Sequence, residues 1–546
     1  MRRSVPGWER VIFNWMKSSG GLSGPGLSLE SKIPKALLGV FMIIIKKFRI
    51  HFSVFSLLCM MGIGRLAAET DTGYRGIWFD IGQPGPYGSK YSGGLGTYTE
   101  KHVPLAVYAP AVNKTFFVWG GTEPGAQKLR LMISYYNHTT GKVPLPVIVH
   151  HKDSVNDPHD DPALSIDSAG FLWVWIAGRA NIRPGFVYKS TKPYDINNWE
   201  LIKEQKDYAY PHVWYNKGKG FLVQFTDYNS KGERELFMET SPDGITWNPR
   251  KKLVGFGGHY PINWMRDGKL IMAFDYHPGG VDTRTNLYYM ETEDMGTTWK
   301  NINGDVLTMP LDNRDNPALV RDYEKENRMV YVKDIAFTKA SRPVILYLTS
   351  DSSIAGPLPH PRELMTARWT GTAWDYRKLT ETDHNYDMGS MYIEEDASWN
   401  VIAPTGVGPQ AWGTGGEMQY WHSENLGVTW TKIADLTENS TRNHSYARRV
   451  LNGDPGFYAF WADGNANEFS ESRLYFCDKA GNVYELPPEM TGTSATPRQI
   501  RVAPTSLSET GRLPTQGVKF GSPEVRNPRL FHWWRGIFRD GLGRQP

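Results

Sequence analysis

Short runs in which apolar and polar residues alternate recur along much of the chain. Examples are "FLWVWIAG" (Phe171–Gly178), "GFLVQFTDY" (Gly220–Tyr228), "KLIMAFDYH" (Lys269–His277), "RMVYVKDIAF" (Arg328–Phe337) and "GFYAFWADG" (Gly456–Gly464). A two-residue period over so few positions predicts half-buried strands rather than helices. Between the runs a turn repeats: "TSPDGITW" (Thr240–Trp247), "ETEDMGTTW" (Glu291–Trp299) and "HSENLGVTW" (His422–Trp430). The Asp or Asn side chain caps a tight turn, the glycine takes positive φ, and the tryptophan folds back over the hairpin. These residues are read as structural.

Trp199, Trp247 and Trp299 lie about fifty residues apart, a period that marks propeller blades. Roughly 415 residues at about 50–60 per blade predict an all-β, seven-bladed β-propeller over 69–503, with Asp-box turns and sialidase-like blades. The aromatic content of 13%, with 55 Gly and 36 Pro, agrees with many short strands and turns.

Charge is segregated. Met1–Glu69 has ten Lys and Arg against three acids, and Thr491–Pro546 nine against three, which leaves 42 basic and 51 acidic residues between them. That mildly acidic middle argues against a nucleic-acid partner. Only Cys59 and Cys477 are present, so there is no disulfide framework. Residues 42–68 read as a signal peptide: a basic stretch at Lys46–Arg49, an apolar core near Phe52–Ile63, then "LAA". The apolar core is short for a membrane span, so no stable insertion is expected after cleavage. The expectation is a secreted or periplasmic monomer with cleavage near Ala68. Residues 1–41 are read as a mis-assigned start or disordered leader, and 504–546 as a basic, disordered tail.

Four of the fourteen histidines fall within Tyr136–Leu164, "YNHTTGKVPLPVIVHHKDSVNDPHDDPAL". The opening segment "GYRGIWFDIGQPGPYGSKYSGG", with "YNHTTG", "NDPHDDPAL", "GRANIRPGFVYKS" and "RELFMETSPDG", resembles the BNR/Asp-box family that includes ulvan lyases. The likeness extends over about Gly73–Arg501. It implies a seven-bladed propeller that cleaves an acidic, uronic-acid-containing polysaccharide by β-elimination.

That reaction needs a base for the C5 proton, an acid for the leaving O4, and a cation or donor on the carboxylate. By resemblance, His138 and His159 are the base and its neighbour, and Arg234 neutralises the carboxylate. The planar fork of arginine suits that bidentate contact. A tyrosine from "YAYPHVWY" completes the set, with Tyr210 and Tyr215 both open; His212 stands where relatives carry glutamine. His259, Tyr260, His277, Arg314, His384 and His444 precede or end strands, and are expected to line one substrate pocket around the channel. His150 and His151 are adjacent in a strand and read as bystanders. No cofactor is required by this chemistry; some relatives hold a structural zinc or calcium, and whether a metal is bound here is left open. A sialidase-like hydrolase and a non-catalytic carbohydrate-binding propeller are the competing readings. The first lacks an early arginine motif, and the second would tolerate loss of the histidines.

Overall fold

The structure, a computed structural model, describes residues 68–80, 83–89, 91–95, 102–180, 182–280 and 282–504. The leader, nearly all of the signal segment, and the tail from 505 onward lie outside the described residues. The described chain is all-β, with only two short 3-10 turns, Pro110–Val112 and Pro158–Asp160.

Alternating runs become strands that pair with the next run in sequence, giving five separate four-stranded antiparallel sheets. Their first strands are Pro162–Ile166, Ala209–Asn216, Pro261–Arg266, Met329–Phe337 and Ser390–Ile393. A further, ten-stranded sheet has two halves. One begins with Ala106–Ala109 and the other with Asn443–Arg449. The two-residue strand Arg75–Gly76 joins them, pairing with Gly121 on one side and with Ser472 and Arg473 on the other. Residues early in the chain are thereby stitched to residues about four hundred positions later.

Burial follows position within each sheet. The second strand Leu172–Ile176 is buried at every residue, because neighbouring sheets cover both of its faces. The fourth strand Trp374–Thr382 is largely exposed or half-exposed. Apolar side chains interleave between sheets, as where Trp173 meets Phe221 of the next sheet with centroids 4.9 Å apart.

The repeated turns behave as their composition predicts. Asp243 accepts backbone N–H bonds from Ile245 (2.8 Å) and Thr246 (2.7 Å), while Asp294 and Asn425 each accept one from Thr298 and Thr429. Gly244 has φ +77°, and a Cβ there would lie 2.4 Å from the Trp173 ring, so both backbone and packing demand glycine.

First strands of consecutive sheets lie side by side. Leu164 N–H donates to Pro104 O at 2.8 Å, and Val213 N–H to Val103 O at 2.8 Å. The segments leading into these strands therefore converge at one end of the described body. That convergence positions the site.

Candidate active site

At this end a chain of buried rings and guanidiniums runs from sheet to sheet. His159, in the turn before Pro162–Ile166, contacts Phe79 edge-on at 5.0 Å and Tyr210 at 5.9 Å. Tyr210 in turn meets His102 at 5.8 Å and Tyr260 at 5.8 Å. Tyr260 packs on His277 at 4.9 Å and lies between two guanidiniums, Arg284 at 4.4 Å and Arg234 at 5.3 Å. Arg284 also faces Tyr331 (5.1 Å) and Tyr386 (5.0 Å), and Tyr91 closes on Tyr386 at 4.9 Å.

Local structure explains how these side chains reach one place. Tyr210 has φ +53°, and the strand register shifts between Ala209 and His212. Such a bulge re-aims a side chain, and bulges gather beside active sites. Arg234 and Arg284 sit at the starts of third strands or just before them, at the same end as the leading segments.

Two imidazole–carboxylate pairs bracket the tyrosines. The Nδ1 of His159 bonds Asp157 Oδ1, and His277 Nε2 bonds Asp275 Oδ1 at 3.1 Å. Burial lowers the His159 pKa below its ordinary value, with Asp157 opposing. Burial likewise brings His277 down to about 4, again against its aspartate. Both imidazoles are thus neutral at neutral pH and able to accept a proton. Burial raises the Tyr260 phenol while Arg234 and Arg284 pull it back. A neutral base, phenols and fixed cations together can take a proton, return one and hold a carboxylate.

The predicted residues divide sharply. His159, Tyr210, Arg234, Tyr260 and His277 are brought together. His212 lies buried in the same first strand as Tyr210, paired in parallel with Val103. His384 adjoins the cluster through Tyr386, 5.5 Å away. His138 does not join His159. It bonds Thr115 Oγ1 at 2.8 Å and Asp454 at 3.0 Å, whereas Asp161 beside His159 abuts Gly120. Thr115 and Gly120 are five residues apart on one strand, roughly 17 Å at about 3.3 Å per residue. The two loops flank opposite ends of the strand, which sequence spacing alone does not reveal. Tyr215 also sits at the far end of its strand, bonded to Ser168.

The remaining candidates are occupied elsewhere. His259 packs within its sheet against Phe256 (4.4 Å) and bonds Asp275 O. The "DNRDNPAL" segment precedes a fourth strand, Leu319–Arg321, not a first one, and Arg314 is paired with Asp322 and Glu324. His444 uses both ring nitrogens, one accepting from Trp461 and one on Ser440. It lines a separate cleft of about 590 Å³ with Arg442, Arg473 and Arg498. His150 bonds Tyr188, and His151 bonds Glu69. Sequence reasoning missed His102, Arg284, Tyr331, Tyr386 and Tyr91. For most of these the only sequence signal was position near a strand start, which many solvated residues share; Tyr331 lies within the strand Met329–Phe337.

Among the described residues no three His, Cys, Asp or Glu side chains gather to hold a metal ion. No helix among them is long and apolar enough to cross a membrane.

The buried histidines make acid stability testable. His259 and His277 are held by burial near 3 and 4, and His150 near 4, all below the ordinary 6.5. The unfolded chain therefore binds more protons below pH 6.5, so stability is full above that pH and falls as pH drops toward 4. Thermal melts across pH 7 to 4 should show a steadily falling midpoint. A flat profile would contradict neutral burial of these rings.

The chain belongs to the BNR repeat-containing family, whose model matches residues 117–397. It is 23% identical over 354 residues to an ulvan lyase of Nonlabens ulvanivorans, which covers 55% of this chain and 71% of that protein. Its fold is similar to that of an ulvan lyase representing a new family of polysaccharide lyases, with TM-score 0.58 at 14% identity. That match covers 76% of this chain and 96% of the other. A structure of such a lyase bound to -[GlcA(1-4)Rha3S]- matches with TM-score 0.58 at 13% identity over the same shares. The polysaccharide lyase Uly1 matches with TM-score 0.52 at 12% identity, covering 76% and 98%.

Proposed function

We propose that this BNR repeat-containing chain is a secreted polysaccharide lyase that cleaves a uronic-acid-containing, ulvan-like polysaccharide by β-elimination. The observation that carries the reading is the buried run His159–Tyr210–Tyr260 flanked by Arg234 and Arg284. Likeness to ulvan lyases agrees with it. The proposed frame is a propeller of seven blades, counting five separate sheets and the two halves of the ten-stranded one.

In this mechanism the substrate carboxylate lies against Arg234 and Arg284, which stabilise the charge that develops when C5 loses its proton. His159 accepts that proton through Nε2. The electron pair forms the C4–C5 double bond, the C4–O4 bond breaks, and Tyr210 donates its phenolic proton to the leaving oxygen. No redox or metal step is needed. Because burial lowers the His159 pKa, the acid limb of the pH–rate profile should fall below pH 6.5.

The deciding experiment incubates the purified protein with ulvan, glucuronan, pectin and glycosaminoglycans and follows ultraviolet absorbance of the unsaturated uronate. Absorbance growth on at least one is expected. Cleavage to new reducing ends without that absorbance would make the protein a hydrolase; binding without cleavage would make it a carbohydrate-binding propeller.

A further inference from the structure

We infer that Asp157 is a positioning residue that keeps the proton of His159 on Nδ1, so that Nε2 presents its lone pair to the substrate; this rests on the reading of His159 as the base. Both carboxylate oxygens of Asp157 are committed. Oδ1 accepts from the His159 backbone N–H at 2.9 Å and from the ring Nδ1. Oδ2 accepts from Arg179 at 2.7 Å and Arg183 at 2.9 Å.

The clamp is itself braced. Arg183 also donates to both oxygens of Asp160, through Nε at 3.0 and 2.9 Å and Nη2 at 2.6 Å. Lys152 joins Asp160 at 2.7 Å and donates to Ala177 O and Pro184 O. Burial raises Asp157, but His159, Arg179 and Arg183 overcome it and hold the carboxyl well below the usual range. An ionised carboxylate accepts only, so the facing ring nitrogen must carry hydrogen. Guanidiniums donate only, so the oxygen between them admits no proton.

This donor pattern makes Asp157→Asn an informative change. The amide oxygen turns to Arg179 and Arg183, because an NH2 group there would face two charged donors, a larger cost than facing the one backbone N–H of His159. The NH2 then faces Nδ1 of His159, which becomes the acceptor, and the ring proton moves to Nε2. The base nitrogen is blocked without loss of side-chain volume. Asp157→Ala removes the carboxylate's selection without imposing the opposite one. A carboxylate that merely braced the loop would make alanine the worse substitution.

The full-length protein should be compared as wild type, Asp157→Asn and Asp157→Ala on the polysaccharide that gives unsaturated product. Asp157→Asn is expected to lower kcat about 10²–10⁴-fold, the scale of a misplaced acid–base group, with KM within about threefold. Asp157→Ala should retain more kcat than Asp157→Asn. Nitrogen-15 spectra of selectively labelled histidine should show His159 with Nδ1–H in wild type and Nε2–H in Asp157→Asn. A kcat for Asp157→Asn within about threefold of wild type, alanine less active than asparagine, or an unchanged tautomer would overturn the inference. Should Asp157→Ala not fold, the tautomer measurement on the isosteric asparagine variant decides. If wild type releases no unsaturated product from any substrate, the lyase reading fails, and the same spectra still decide what Asp157 does to His159.

Discussion

His159→Ala is expected to cut turnover by about 10²–10⁴-fold, while His138→Ala leaves it within about threefold. His159 touches the tyrosine at the centre of the cluster and is held by Asp157. His138 lies at the other end of the strand Lys114–Gly121, bonded to Thr115 and Asp454. Its loss should appear as stability, about 1–3 kcal/mol for leaving the buried Thr115 hydroxyl without its partner. Steady-state kinetics and thermal melts on both variants check this. A large kinetic loss in His138→Ala with an unchanged melting point would return that residue to the chemistry.

Arg284→Met should lower kcat by about 10²–10³-fold, the usual loss when a fixed charge-stabilising group is removed. Arg284 is almost fully buried against Tyr260, Tyr331 and Tyr386. Methionine fills much of the same volume and removes a buried charge, so the fold should survive. Arg284→Lys should be nearly as harmful as Arg284→Met, because a point charge does not reproduce the planar fork that spans both carboxylate oxygens. If Arg284→Lys kept wild-type kcat, a point charge would suffice there; if Arg284→Met did, the guanidinium would be serving only as filler among the rings. Arg234, at 5.3 Å from the same Tyr260 ring, provides the comparison: loss at Arg234 alone would assign the carboxylate to that side of the cluster.

The all-β architecture was legible in the chain because strand and turn rules are local. Alternation over a few residues decides which face of a strand is buried, as Met418 and Tyr420 are between Glu417 and Gln419, and an Asp or Asn before a glycine decides where the chain turns. The candidate site was legible where a clustered residue stood just before a first strand, as His159 and Tyr260 do. It was not legible where strand order mattered. "DNRDNPAL" has the same local form as "NDPHDDPAL", yet it leads into a fourth strand and leaves Arg314 among acids at the rim. His138 and His159 flank the blade strand Val147–Lys152 at similar loop positions, but an antiparallel meander sends successive loops to opposite ends.

Two further features were decided only by tertiary contacts. The register shift at Ala209–His212 turns Tyr210 toward His159, and a bulge is specified by partner strands rather than by the bulged residues. Tyr91 meets Tyr386, nearly three hundred residues later in the chain, and through it Arg284. By itself the sequence determined strands, turns and a repeat, since each depends on neighbours within a few positions. Which polar groups share one desolvated space depends on how the sheets are ordered and stacked, and only the folded chain settles that.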